Sequence, residues 1–354
     1  MTGLEKLCSR VTEAADCAVI TDDVNRRYFT AMKSSAGTLV VFPEKAYFII
    51  DFRYIEKAKK TVTACEVILQ DKLYEQINSL IEKHGAKTVS VNADTCTLSE
   101  LIAYQQKLNA EVIADTKLAE IIREIRTVKS QEQIDKIIKA QRIAEKGFAH
   151  MLDFIKVGRT EKEIQLELDY YMLKNGAEAL SFDTIALSGS NTSLPHGVPS
   201  DKKVESGEFV LMDFGATYDG WHSDMTRTVC VGKPSDKMKS VYETVLTAQL
   251  SAIDAVKAGM SGKALDKIAR DIITEAGYGD NFGHSLGHGV GVEIHESPYA
   301  SPSREDILPE NSIVTVEPGI YLEGKFGVRI EDFVVVTENG CINMTKAPKE
   351  LICL

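Results

Sequence analysis

The chain of 354 residues is predicted to form two domains, an α/β domain followed by an α+β domain in which one unit is built twice. Two observations carry this. From residue 1 to about 115, short β-prone runs alternate with helical stretches, the grammar of an α/β layer structure. Beyond that, Lys156-Val-Gly158-Arg-Thr160 returns as Lys257-Ala-Gly259-Met-Ser261 and Gly176 returns as Gly277, all at an offset of 101, the mark of an internal repeat.

Composition bounds the function. With 44% hydrophobic and 26% charged residues the chain can bury a large core in the ordinary way of globular proteins. The balance of 41 basic against 52 acidic residues gives a net charge of −11, which argues against nucleic acid or an anionic membrane as partner and in favour of small substrates. Seven scattered cysteines with no Cys-x-x-Cys suggest neither a disulfide framework nor a zinc knuckle. No long apolar stretch opens the chain, and no uncharged run approaches the roughly 18 residues a membrane span needs. The expectation is a cytoplasmic protein.

In the first domain, strands are expected at Cys17–Ile20, Thr38–Phe42, Ala46–Ile50, Cys65–Leu69 and Thr88–Val91, with helices near 53–60, 72–84 and 98–108. It holds no Gly-x-Gly-x-x-Gly or Walker-type loop, so nothing points to a nucleotide site. The charged helical segment after it reads as a connector, which divides the chain into a domain at 1–116, a linker helix at 117–129 and a second domain at 130–354. Ser130-Gln-Glu-Gln133 has capping-box spacing and opens a helix to about 154 with Ile134, Ile137 and Ile138 on one face. Thr160-Glu-Lys-Glu163 opens a second helix, closed by Asn175-Gly176. Helices from Ser235 to about 257 and from Ser261 to Ala276 repeat the arrangement, with Gly277 as the cap.

Between the two helix pairs lies Phe209-Val-Leu-Met-Asp213-Phe-Gly-Ala-Thr-Tyr-Asp-Gly-Trp-His-Ser-Asp224-Met-Thr-Arg-Thr-Val231. It reads as a β-hairpin around Asp219-Gly220, the dipeptide a type I′ turn prefers because both central residues need positive φ. That turn sets Asp213 opposite Thr226 and Gly215 opposite Asp224, so both carboxylates share one face. The repeat supplies their counterparts: Glu317, after the apolar strand Ser312–Val316, and Glu331, before Phe333–Val336. Acidic residues are depleted in apolar strands, and four of them together need a common partner. His288, in the cluster His284-Ser-Leu-Gly-His288-Gly-Val-Gly-Val-Glu-Ile-His295-Glu296, completes an oxygen-rich set. Such a set suits two divalent ions of the Mn²⁺ or Co²⁺ kind, with Zn²⁺ as an alternative. Two ions can activate a water and polarise a carbonyl, which is hydrolytic chemistry. A Gly-x-Ser-x-Gly elbow and a His-Glu-x-x-His motif are both absent, so serine-nucleophile and single-zinc readings are weaker.

These blocks resemble the Xaa-Pro peptidases, the aminopeptidase P and prolidase group of the pita-bread metallopeptidases, family M24. The motifs are Met-Asp213-Phe-Gly-Ala, Ser-Asp224-Met-Thr-Arg-Thr, Gly-His288-Gly-Val-Gly-Val-Glu-Ile-His295-Glu, Thr-Val-Glu317-Pro-Gly-Ile-Tyr and Gly-Val-Arg329-Ile-Glu331-Asp. Asn25-Arg-Arg-Tyr-Phe-Thr30 and Asp51-Phe-Arg-Tyr54 are similar to the family's ribonuclease-H-like N-terminal domain, although Thr30-Ala-Met32 stands where the family commonly has Thr-Gly-Phe. The resemblance implies a non-catalytic α/β domain, a pita-bread catalytic domain with an internal pseudo-two-fold, and a homodimer. It implies Asp213, Asp224, His288, Glu317 and Glu331 as ligands of two ions, Mn²⁺ first, with Asp213 bidentate and Asp224 and Glu331 bridging. By the same resemblance His196 and His295 hold the substrate carbonyl, Glu317 shuttles a proton, Arg329 orients the ligands and His284 lies in or behind the pocket. The implied substrates are small peptides with proline at the second position. Some prolidases carry an arginine after His-Glu-x-Pro to clamp a dipeptide's carboxylate; here Tyr299 follows, which favours an aminopeptidase over a dipeptidase. A metal-free binding module is the remote alternative, and all five ligand positions hold competent side chains.

Overall fold

A computed structural model describes all residues, 1–354. Tertiary contacts divide the chain into a unit Met1–Arg126 and a unit Thr127–Leu354.

The first unit runs α1 (Gly3–Arg10), β1 (Cys17–Ile20), α2 (Asp23–Thr30), β2 (Thr38–Val41), β3 (Ala46–Ile50), α3 (Ile55–Thr61), β4 (Glu66–Leu69), α4 (Leu73–His84), β5 (Thr88–Val91), α5 (Leu98–Lys107), β6 (Glu111–Ile113) and α6 (Lys117–Thr127). Its six strands form one mixed sheet in the order β4-β3-β2-β1-β5-β6, parallel at β3/β4, β1/β5 and β5/β6. The central strands are buried on both faces, which is why they read as continuous apolar runs rather than alternating ones. Helices α1 and α2 and strand β6 were not anticipated. Each is short, and α2 is rich in polar residues: Asp22 caps its start and Ala31, at φ 55°, ends it in a left-handed conformation. The segment read as a connector is helix α6, whose Leu118, Ile121, Ile122 and Ile125 are buried in this unit's core.

The second unit begins with two capped helices, α7 (Gln131–Phe154) and α8 (Glu161–Lys174), with both capping boxes formed as the spacing predicts. Then come β7 (Ala179–Leu180), β8 (Ile185–Ser188), β9 (Glu208–Phe214), β10 (Ala216–Tyr218), β11 (Trp221–His222) and β12 (Met225–Val231). The second helix pair, α9 (Asp236–Ala255) and α10 (Gly262–Glu275), leads to β13 (Gly287–Gly289), β14 (Glu296–Ala300), β15 (Ile313–Val316), β16 (Gly319–Leu322), β17 (Phe326–Arg329), β18 (Asp332–Thr337) and β19 (Gly340–Asn343).

The repeat expected from the sequence extends to single hydrogen bonds. Gly158 N donates to Val204 O and Gly259 N to Leu308 O; Glu161 N donates to Lys202 O and Gly262 N to Asp306 O. The four glycines at 158, 176, 259 and 277 all take positive φ. Each helix pair covers one apolar strand face: Val210, Met212, Phe214 and Met225 pack with α7 and α8, whereas Val314, Val316, Val328 and Val334 pack with α9 and α10. Because side chains alternate along a strand, the residues between these apolar ones share the opposite face. Asp213, Asp224, Thr226, Thr315 and Glu317 belong to that second set.

Candidate metal centre

The hairpin holds the predicted register: Thr226 pairs with Asp213 and Tyr218 with Trp221, and Asp219 and Gly220 both take positive φ at the turn. In the second half Val316 pairs with Asp332, which puts Glu317 and Glu331 at facing ends of β15 and β18. Backbone bonds tie these ends to their neighbours: Glu317 N donates to Leu286 O (2.9 Å) and Glu331 N to Thr226 O (3.2 Å).

A cavity of about 480 Å³ is lined by Asp213, Asp224, His288, Glu317 and Glu331 together with His196, His284, His295 and Arg329, so every site residue read from the sequence faces one space. Phe182, Asp183, Ile185 and Tyr299 are among the residues that form the rest of its wall. Donor atoms of Asp224, His288 and Glu331 all lie within 4.8 Å of one another. His288 Nε2 is 3.6 Å from Asp224 Oδ2 and 3.4 Å from Glu317 Oε1. Its Nδ1 lies 3.0 Å from Gly289 O, which places the ring proton there and leaves Nε2 as a free electron pair toward the carboxylates.

Electrostatics marks the cluster as short of positive charge. Burial, then the neighbouring carboxylates Asp213 and Glu317, push Asp224 well above the usual carboxylate range. Burial, then Asp224 and Glu317, do the same to Glu331. Glu317 is driven up to about 8, by burial first and by Asp213 among its neighbours. Burial and the adjacent His295 bring His288 down to about 4. Asp213 Oδ1 and Glu331 Oε1 are buried without a hydrogen-bond partner. Unpartnered buried carboxylate oxygens are costly, and divalent cations remove that cost, so the donor set fits them.

One cation of the protein already touches the cluster. Arg329 donates through Nη2 to Asp213 Oδ2 (2.6 Å), through Nε to Thr226 Oγ1 (3.0 Å) and through Nη1 to Tyr321 OH (2.8 Å). Thr226 Oγ1 in turn donates a hydrogen bond to Glu331 Oε2 (2.8 Å), and Tyr321 OH lies 3.0 Å from His284 Nε2. Thus Arg329 orients carboxylates from both halves at once, and His284 closes the chain behind it. Thr226, Thr315 and Tyr321 were missed by sequence reasoning. Thr315 Oγ1 accepts from His288 N (3.0 Å) and donates to Glu317 Oε1 (3.3 Å). For the two threonines the available signal was position: each shares a strand face with a ligand two residues away, Thr226 with Asp224 and Thr315 with Glu317.

The model of metallopeptidase family M24 matches residues 135–338, and that of the creatinase/prolidase N-terminal domain matches residues 5–128. The chain is 40% identical over 352 residues to the Xaa-Pro dipeptidase of Pyrococcus furiosus, covering 99% of each. Its structure resembles that of an Xaa-Pro dipeptidase from Bacillus anthracis, with a TM-score of 0.95 and 42% identity over 99% of each chain. It also resembles an X-Pro aminopeptidase from Thermotoga maritima, with a TM-score of 0.90 and 38% identity, covering 96% of this chain and 98% of that one.

Proposed function

Because the chain belongs to metallopeptidase family M24, we propose that it hydrolyses the peptide bond between an N-terminal residue and a following proline. The observation that carries this is the convergence of Asp213, Asp224, His288, Glu317 and Glu331 on one cavity, with buried oxygens of Asp213 and Glu331 still unpartnered. These five residues would hold two divalent ions, Mn²⁺ in the first place, with Co²⁺ or Zn²⁺ as substitutes. When bound, the ions supply Lewis acidity and a water of lowered pKa.

The protein's own groups do the rest. Glu317 takes the proton of the attacking water and returns it to the departing proline nitrogen, which must leave as a secondary amine. His295, lowered by burial first, with Asp213 opposing and His196 adding a little, is an imidazole able to donate an N–H to the carbonyl oxygen. His196 approaches the same oxygen from the opposite loop. Arg329 keeps Asp213 and, through Thr226, Glu331 in place.

Aminopeptidase action is favoured over dipeptidase action. Arg329 is the one Lys or Arg lining the cavity, and it is spent on Asp213. Arg304 stacks over the Tyr299 ring at 4.1 Å and bonds Asp306, so it offers no clamp for a dipeptide carboxylate. The dipeptidase reading rests on the names of several curated relatives and of most of the similar solved structures. We further propose a cytoplasmic homodimer; the seven unpaired cysteines agree with a reducing compartment, and no helix is long and apolar enough to cross a membrane.

The test is a side-by-side assay of Xaa-Pro dipeptides and Xaa-Pro-Yaa tripeptides with chelated and Mn²⁺-loaded protein. The chelated protein should be inactive and the loaded one should cleave the tripeptides with the higher kcat/KM. Glu317→Ala should lose turnover in both assays. Absence of Xaa-Pro hydrolysis with Mn²⁺, Co²⁺ and Zn²⁺ alike would overturn the proposal.

A further inference from the structure

We infer that Glu161 is a positioning residue for His196: its buried carboxylate fastens both ends of the loop that carries the histidine. Glu161 is the first residue of α8 and is 0% exposed. Its Oε1 accepts from Ser188 N (2.7 Å), Ser188 Oγ (3.2 Å) and Asn191 Nδ2 (3.0 Å). Its Oε2 accepts from Ser200 N (3.0 Å), Ser200 Oγ (2.6 Å) and again Asn191 Nδ2 (3.2 Å). One oxygen thus grips the start of the loop and the other its end. Between them Leu194 and Val198 stand 54% and 83% exposed on either side of His196, so the tip is held at few points, among them the bond from Arg329 Nη1 to Pro195 O (3.4 Å) and the approach of Gly197 to Leu187.

Helix α8 does not need this carboxylate for its own sake. Its start is already satisfied by Thr160 and Glu163, which form the capping box. The internal repeat gives an independent comparison. At the offset of 101 Glu161 corresponds to Gly262, at the same place after the N-cap of α10, so the repeated architecture forms without an acid there. The corresponding loop of the second half, which carries His295, is fastened differently, with Lys129 Nζ donating to Glu296 Oε1 (2.6 Å). Glu161 does not line the cavity, so any effect on turnover passes through the loop.

The chemistry also requires an acid. Backbone N–H groups arrive at both oxygens, and only a carboxylate accepts on both sides; glutamine would turn an NH₂ toward one of them. Glu161→Gln therefore frees one end of the loop while preserving shape. The inference rests on the proposed role of His196, and its test separates the two.

The experiment compares the wild type, Glu161→Gln, Ser200→Ala, His196→Ala and the Glu161→Gln/His196→Ala double variant, as Mn²⁺-loaded full-length protein on one Xaa-Pro-Yaa peptide. Glu161→Gln should lower kcat by about tenfold to a hundredfold, the scale of a misplaced catalytic group. KM and bound Mn²⁺ per chain should be unchanged, and the amides of Leu194 to Val198 should exchange faster. In the His196→Ala background the same substitution should change kcat by less than about twofold, since its effect travels through the missing imidazole. Ser200→Ala removes the 2.6 Å bond to Glu161 and the 3.2 Å bond that Ser200 Oγ accepts from Lys202 N, leaves the Ser200 N–H on Glu161, and should give a smaller loss of kcat with faster exchange, which serves as the readout should Glu161→Gln not fold. Wild-type kcat in a folded Glu161→Gln or in Ser200→Ala, or equal losses in both backgrounds, would overturn the inference. Wild-type kcat in His196→Ala itself would remove the role of His196 and this inference with it.

Discussion

Arg329 illustrates how one side chain links the two halves of the site. Burial, the largest influence on it, works against its charge, yet Tyr321 and the carboxylates of Asp213 and Glu317 raise it well above its ordinary value, so it stays a guanidinium. Its planar guanidinium reaches Thr226, Tyr321 and Asp213, with Pro195 O as a longer fourth partner (3.4 Å), a fork that an ammonium cannot reproduce. Arg329→Lys is expected to leave the buried hydroxyl oxygens of Thr226 and Tyr321 without the donor they accept from, at a cost of about 1–3 kcal/mol in urea unfolding. Mn²⁺ affinity measured by calorimetry should fall with it, because Asp213 and Glu331 lose their common anchor. Unchanged unfolding and unchanged affinity would show that the three bonds do not hold the ligands. Arg329 itself was legible in the sequence, two residues before Glu331. Tyr321 was not, since no period or spacing shows that its hydroxyl reaches back to Arg329 and His284.

Among the elements, the hairpin β9–β12 sets the register of the site, and here the sequence was most informative. Asp219-Gly220 requires a two-residue turn, and the turn alone fixes Asp213 against Thr226. The repeat of helices was equally readable, because capping residues and terminal glycines are local chemistry. What escaped was the interruption of the ladder between β9 and β10. There Gly215 lies so close to the opposite strand that an added Cβ would meet Ser223 O at 1.9 Å and Ser181 Cβ at 2.9 Å. This closeness depends on a strand distant in sequence, β7, which pairs with β10 and brings Ser181 in. Gly215→Ala is expected to force the strands apart between the two aspartates, destabilising the fold by about 1–3 kcal/mol, the usual cost of overpacking. The protein should also bind fewer Mn²⁺ ions per chain, read by elemental analysis after gel filtration. A variant with wild-type melting and full metal content would mean that the hairpin adjusts without moving its carboxylates.

The buried carboxylates also affect the stability of the molecule as a whole, and the sign of the effect can be worked out. A carboxyl whose folded pKa lies above its unfolded value binds protons more tightly in the native state, so stability falls as pH rises between the two values. Glu317, at about 8 against an ordinary 4.5, does this, and Asp224 and Glu331 are shifted in the same direction by the same burial. His284 and His288 oppose it: burial holds both near 4 against an ordinary 6.5, so their contribution is lost only as pH falls below 6.5. Between pH 6.5 and 8 the carboxylates act alone, and the Tm of chelated protein should fall steadily across that window. Divalent ions replace the missing protons as counter-charge. At a free concentration about a thousandfold above Kd each ion should add about 4 kcal/mol, with the largest gain in Tm at the alkaline end. Thermal melts of chelated and Mn²⁺-loaded protein across the window check both statements. A chelated Tm that is flat or rising from pH 6.5 to 8 would show that the carboxylates ionise without mutual cost, and the case for a cation-requiring cluster would lose its electrostatic basis.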